Sequence, residues 1–185
     1  MKNILIFALF LTMNRLFSQS SGHENMPQTG FYAATLSQTQ LDVFSRRASQ
    51  KLQDFGAALQ VIGNAEYPMQ MREKSKLSAL KMLENDKVFY NVKNYPLPRK
   101  NISIQDYLTY LLQNPQKMAV QDIQVSAAFH RTASELYTAN YTFQWILGEN
   151  KYPFSATLLL KKVWKTFGTE KKQVWEITIS QIKEA

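Results

Sequence analysis

"YTANYTFQWILG", residues 137–148, places Tyr137, Ala139, Tyr141, Phe143 and Trp145 on one parity and Thr138, Asn140, Thr142 and Gln144 on the other. Successive side chains of a strand point to opposite faces, so the alternation describes a β-strand with an aromatic face turned inward and a polar face turned to solvent. One strand cannot bury its own apolar side. What covers that face decides the fold, and whether the cover leaves room beside the rings decides where a ligand would sit.

On either side the pattern continues. β-Rich segments run from about Met118 to His130, Leu136 to Leu147, Phe154 to Phe167 and Val174 to Ile182, separated by "TASE", "GENKYP" and "GTEKKQ". Connections this short join antiparallel neighbours. In the last segment, the change of parity between Ile179 and Ile182 marks a bulge that bends the sheet.

Before residue 118 the period is helical. Ser37 and Gln40 make an S-x-x-Q capping box, and Leu41, Phe44, Ala48, Leu52, Phe55, Leu59 and Ile62 follow on one stripe, up to Gly63 and Asn64, where a left-handed residue would end the helix. The stripe covers too few heptads, without flanking charge pairs, to be a coiled-coil seam, and it suits packing on a sheet. A second helix is predicted from Pro68 to about Glu84, with Met71, Leu77, Leu80 and Leu83 inward and Arg72, Lys74, Lys76 and Lys81 outward. "KVFYNV" (87–92) reads as a short strand and "YPLPRKN" (95–101) as a loop. Ser103 then caps a short helix through "IQDYLTYLL", stopped at Asn114-Pro115. Helices first and an antiparallel sheet afterwards define an α+β domain with its helices on one face of the sheet.

The chain has 185 residues, 45% hydrophobic, 12% aromatic and 19% charged, which suits one globular domain with its own core. Its first residues carry Lys2, an apolar run from Ile4 to Met13, and small polar residues from Ser18 to Gly22, the order of a secretory signal peptide. The run is about half the ~20 residues a membrane-spanning helix needs, so cleavage is the expectation. Residues 1–19 are read as the signal peptide, 20–35 as a flexible tether and 36–185 as the folded domain, exported to a periplasm or cell surface. There is no cysteine, so disulfides contribute nothing and no thiol is available for lipidation. The net charge of +8 falls to about +6 without Lys2 and Arg15, which favours peripheral contact with anionic surfaces; nucleic acid is not expected as a partner outside the cytoplasm.

The order of elements over residues 36–183 resembles the nuclear transport factor 2-like superfamily. The resemblance is carried by "FSRRASQKLQDFGAAL", "REKSKLSALKML", "VFYNV", "IQDYLTYLL" and the terminal "VWEITISQI". It implies a cone-shaped, cystatin-like α+β fold in which a curved sheet wraps the helices and leaves a pocket at the wide end. It also implies dimerisation through the outer face of the sheet. Ketosteroid isomerase, ligand binders and subunits of envelope assemblies all share that fold, so chemistry must be read from the site.

Little in the sequence points to a reaction. His23 and His130 are the only histidines and no cysteine accompanies them, so no metal site and no cofactor are expected. No nucleophile elbow or phosphate-binding glycine loop is present. A ketosteroid-type site would cast Asp54 as base and Tyr90 or Tyr141 as oxyanion donor, but Asp54 falls off the apolar stripe and reads as solvated. The expectation is therefore a non-enzymatic binding or interaction module for a small apolar ligand or protein partner; a structural subunit of an envelope or secretion assembly is the alternative. The pocket candidates are Phe55, Tyr90, Tyr141, Phe143, Trp145 and Trp175, with Lys161, Lys162, Lys165, Lys171 and Lys172 as a positive end on the sheet.

Overall fold

A computed structural model describes residues 35–85 and 102–185. The expected signal peptide, most of the tether, His23, the strand at 87–92 with Tyr90, and the loop at 95–101 lie outside the described residues. Three helices, α1 (Gln38–Gly63), α2 (Met69–Leu80) and α3 (Ile104–Gln113), precede four strands, β1 (Met118–Ala133), β2 (Leu136–Leu147), β3 (Asn150–Phe167) and β4 (Glu170–Glu184). The strands form an antiparallel meander in the order β1-β2-β3-β4. The class is α+β.

α1 starts at the predicted capping box. Ser37 Oγ accepts from the Gln40 amide at 3.3 Å, and the Ser37 amide donates to Gln40 Oε1 at 2.9 Å, so two free donors of the first turn are satisfied. It ends at Gly63, but Asn64 is extended at φ −101°, not left-handed. Gly63 serves a different purpose. A Cβ there would lie 2.2 Å from the Gln116 carbonyl oxygen, and one on Gly56 would lie 2.8 Å from Val120 Cβ. Two glycines one heptad apart thus let the approach to β1 and β1 itself lie against the helix backbone.

The aromatic parity of β2 turns inward as expected. Tyr137, Ala139, Tyr141, Phe143 and Trp145 are buried, as are Phe154, Ala156, Leu158 and Leu160 on β3, while the alternate residues of β2 stay half-exposed. Trp145 is the hub: Phe154, Tyr107 and Phe55 meet its ring at centroid distances of 5.0, 6.2 and 6.5 Å. Such tilted and edge-on contacts contribute ~0.5–1.5 kcal/mol each beyond area burial. They lock α1 and α3 onto the same strands.

The two sheet edges are handled differently. β1 slips register against β2 four times between Gln121 and Ala133, and Asp122 takes a left-handed φ of 54° at the first slip. Repeated bulges bend this edge and spoil it as a template for another strand. On β4 the predicted bulge is present: Thr157 pairs with Gln181 and Leu158 with Ile179, leaving Ser180 as the extra residue, which keeps both Ile179 and Ile182 inside. The far side of β4 is partly covered by residues 82–84. Leu83 bridges Ile179 in parallel, with Ile179 N donating to Met82 O and Glu84 N to Ile179 O, each at 2.9 Å.

That extended segment explains why α2 stops at Leu80, short of Glu84. It also rotates the helix relative to the expected stripe. Met71 and Leu77 are exposed, whereas Arg72 and Ala79 are buried. Arg72, expected outside, donates from Nε to Ile62 O at 2.8 Å, and one of its terminal nitrogens donates to Leu111 O at 3.0 Å and Leu112 O at 2.9 Å. The last carbonyls of a helix lack partners within it and carry its negative dipole end. One guanidinium therefore joins the C-terminal ends of α1 and α3.

Candidate functional site

Where the first turns of α1 pass the start of β4, a groove of about 260 Å³ opens to the surface, lined by Leu36, Thr39, Gln40, Val43, Phe44, Arg47 and Trp175. The residues recur every three to four positions along the helix, so they form one facet beside the buried stripe and share Phe44 with it. Trp175 is the facing wall. Its ring meets Tyr137 at 5.6 Å and Phe44 at 6.4 Å, with Lys162 Nζ 5.5 Å from its centroid. The Tyr137 hydroxyl accepts the Leu36 amide at 2.9 Å and so holds the chain entering α1 against β2.

The floor of the groove is apolar and one rim is cationic. Arg47 sits 5.8 Å from the Phe44 centroid, is exposed, and makes no ion pair among the described residues. One turn along, Lys51 lies over β4. Burial pushes its ammonium below the ordinary lysine range; the nearby Glu176 opposes this, Lys165 adds to it and Asp54 opposes it. The facet thus offers positive charge to whatever enters.

Of the residues singled out in the sequence, Trp175 lines this groove. Phe55, Tyr141, Phe143 and Trp145 lie in the interior, none more than 3% exposed, and Tyr90 lies outside the described residues. Tyr141 spends its hydroxyl on the helix: it donates to Ser45 O at 3.0 Å. Burial raises its phenol above the usual tyrosine range against hydrogen bonds with Ser49 and Ser45. Asp54 is exposed and accepts from Gln50 at 2.9 Å. Among the described residues no aspartate or glutamate is buried and no cluster of metal-ligating side chains occurs.

The lysines of the sheet are mostly paired. Lys161 meets Glu84 at 2.5 Å, Lys162 meets Glu135 at 2.6 Å, Lys165 meets Glu176 at 2.7 Å and Lys172 meets Glu170 at 2.7 Å. The positive end read from the sequence is therefore interleaved with carboxylates from three other places in the chain. His130 is exposed within β1, its Nδ1 3.2 Å from Ala128 O.

The signal that could have found the groove is the second facet of α1. Leu36, Gln40, Val43 and Arg47 repeat with helical spacing, but their mixed polarity reads as an ordinary solvated face until Trp175 is placed beside them. Architecture and site together define an α+β protein with a small, cation-rimmed aromatic groove at one end of its sheet. No family model matches the chain, and no characterised protein or solved structure is significantly similar to it.

Proposed function

We propose that the chain is an exported, non-enzymatic binding module of nuclear transport factor 2-like architecture. Its groove receives a small apolar or aromatic group that carries a negative charge. The observation behind this is the meeting of Phe44 and Trp175 with an Arg47 that has no ion-paired carboxylate among the described residues. Pockets for drug-sized ligands usually hold ~300–1,000 Å³. At about 260 Å³ the groove suits one ring or one short chain, not an extended molecule. Export rests on the order of Lys2, the apolar run and the small polar residues; the family reading rests on the element order and the bulged terminal strand.

Phenylacetate has the required chemistry, one aromatic ring with one anionic group, and its binding can be followed by titration calorimetry. It is expected to bind the chain at one site. Thr39→Trp, which fills the groove from an exposed helical position, should abolish that binding without lowering the melting temperature. Arg47→Gln should weaken it about tenfold, as the loss of one charge-assisted contact does. If binding is unaffected by both changes, the groove is not the site.

A further inference from the structure

The end of the β3–β4 hairpin carries the two most exposed aromatic side chains among the described residues, Trp164 at 67% and Phe167 at 54%.

 Both lie within four residues of the turn at Gly168, whose φ is +62° and around which a Cβ would meet nothing within 4 Å. Trp164 shares the parity of Leu158 and Leu160 and so continues the inner face of β3 past the helices; Phe167 stands on the opposite face. A rigid partner laid on one face of a hairpin would cover one ring and leave the other in water. A fluid apolar layer entered end-on covers both.

We propose that this hairpin end is a lipid-docking tip that places Trp164 and Phe167 in the interface of a bilayer containing anionic headgroups. The charges around the rings fit that occupant. Residues 164–173 hold Lys165, Lys171 and Lys172 against the single Glu170. Lys165 and Lys172 face each other one rung nearer the turn than Trp164, and Lys171 lies one rung further, so with the rings at the acyl boundary their long stems run back along the hairpin and return the ammonium groups to headgroup level. The pairs Lys165–Glu176 and Lys172–Glu170 are solvent-exposed and readily exchanged for lipid phosphate, and Lys171 has no ion pair among the described residues. Tryptophan favours the interface because its ring is apolar and its N–H finds a polar partner there. The tip, with Trp164, Thr166 and Lys171, shares no lining residue with the groove, so this inference stands apart from the ligand proposed above.

The test uses the full chain with vesicles of phosphatidylcholine and phosphatidylglycerol brominated on their acyl chains. Bromine quenches only tryptophan that reaches the acyl region. The fluorescence of the parent is expected to be quenched, and the quenched component to vanish in Trp164→Tyr, which leaves Trp145 and Trp175 in place. Phe167→Ser, and separately Lys171→Glu with Lys172→Glu, should raise the lipid concentration needed about tenfold, and pure phosphatidylcholine should quench weakly. Absence of quenching on vesicles with which the chain co-floats overturns the proposal. Quenching that Phe167→Ser and the lysine changes leave intact overturns it too. A dimer in lipid-free solution that Trp164→Tyr dissociates would assign the tip to a second copy instead.

Discussion

Arg72 shows how far a side chain's role can lie from its class. On a helical wheel it is one cation of four on a basic helix; in the fold it is 4% exposed and binds three carbonyls at the ends of two other helices. Arg72→Ala removes the cation and leaves those carbonyls buried, so a loss of about 3 kcal/mol is expected, measured as a fall in the urea midpoint at unchanged slope. Arg72→Lys should recover only a minor part, because an ammonium cannot span the fork that the guanidinium presents to Ile62, Leu111 and Leu112. The position was not legible beforehand: nothing local distinguishes Arg72 from Lys74 or Lys81, and its partners lie 10 to 40 residues away. Ser37, Gln40 and Ser103 were legible because their partners are within one turn.

Among the elements, α1 combines three faces. The stripe of Leu52, Phe55, Leu59 and Ile62 enters the core, the two glycines admit β1, and the facet through Val43 and Arg47 borders the groove. Gly63→Ala would drive a methyl into a backbone carbonyl that has no rotamer to escape by, and a loss of several kcal/mol, roughly that of other overpacked sites, is expected in thermal unfolding. Gly56→Ala meets a side chain instead, so its smaller loss should be relieved by adding Val120→Ala; a double-mutant cycle reads the coupling. The sequence announced the helix, its start and its stripe through periodicity. It hid the glycines' purpose, which depends on a strand 60 residues downstream being pressed against the same backbone. α2 went further astray, since Met71 and Leu77 matched a stripe that the pull of residues 82–84 onto β4 and the burial of Arg72 turned outward.

Over the whole molecule, the β4 edge of the sheet is partly covered by a contact that also carries charge. Glu84 accepts from Lys161 and from Thr178, each at 2.5 Å. Burial pushes its carboxyl upward, but the hydrogen bonds from Lys161 and Thr178 and the Lys161 charge outweigh it and hold the carboxyl below the usual carboxylate range. The folded state therefore binds this proton less tightly than the unfolded chain. The stabilisation is complete above the ordinary carboxylate range, shrinks as pH falls through it, and is gone below the folded value. Melting temperatures recorded from pH 7 down to pH 3 should fall less steeply in Glu84→Gln than in the parent, with the gap between them closing at the acid end. By itself the sequence determined the class: alternating aromatics, the helical stripe and short connections are local patterns, and local patterns survive without knowledge of the fold. It also located Trp175 as a residue worth following. Only the tertiary structure decided which rings are interior and which border the groove, which lysines are neutralised, and which arginine is buried, because each of those outcomes depends on groups brought together from distant parts of the chain.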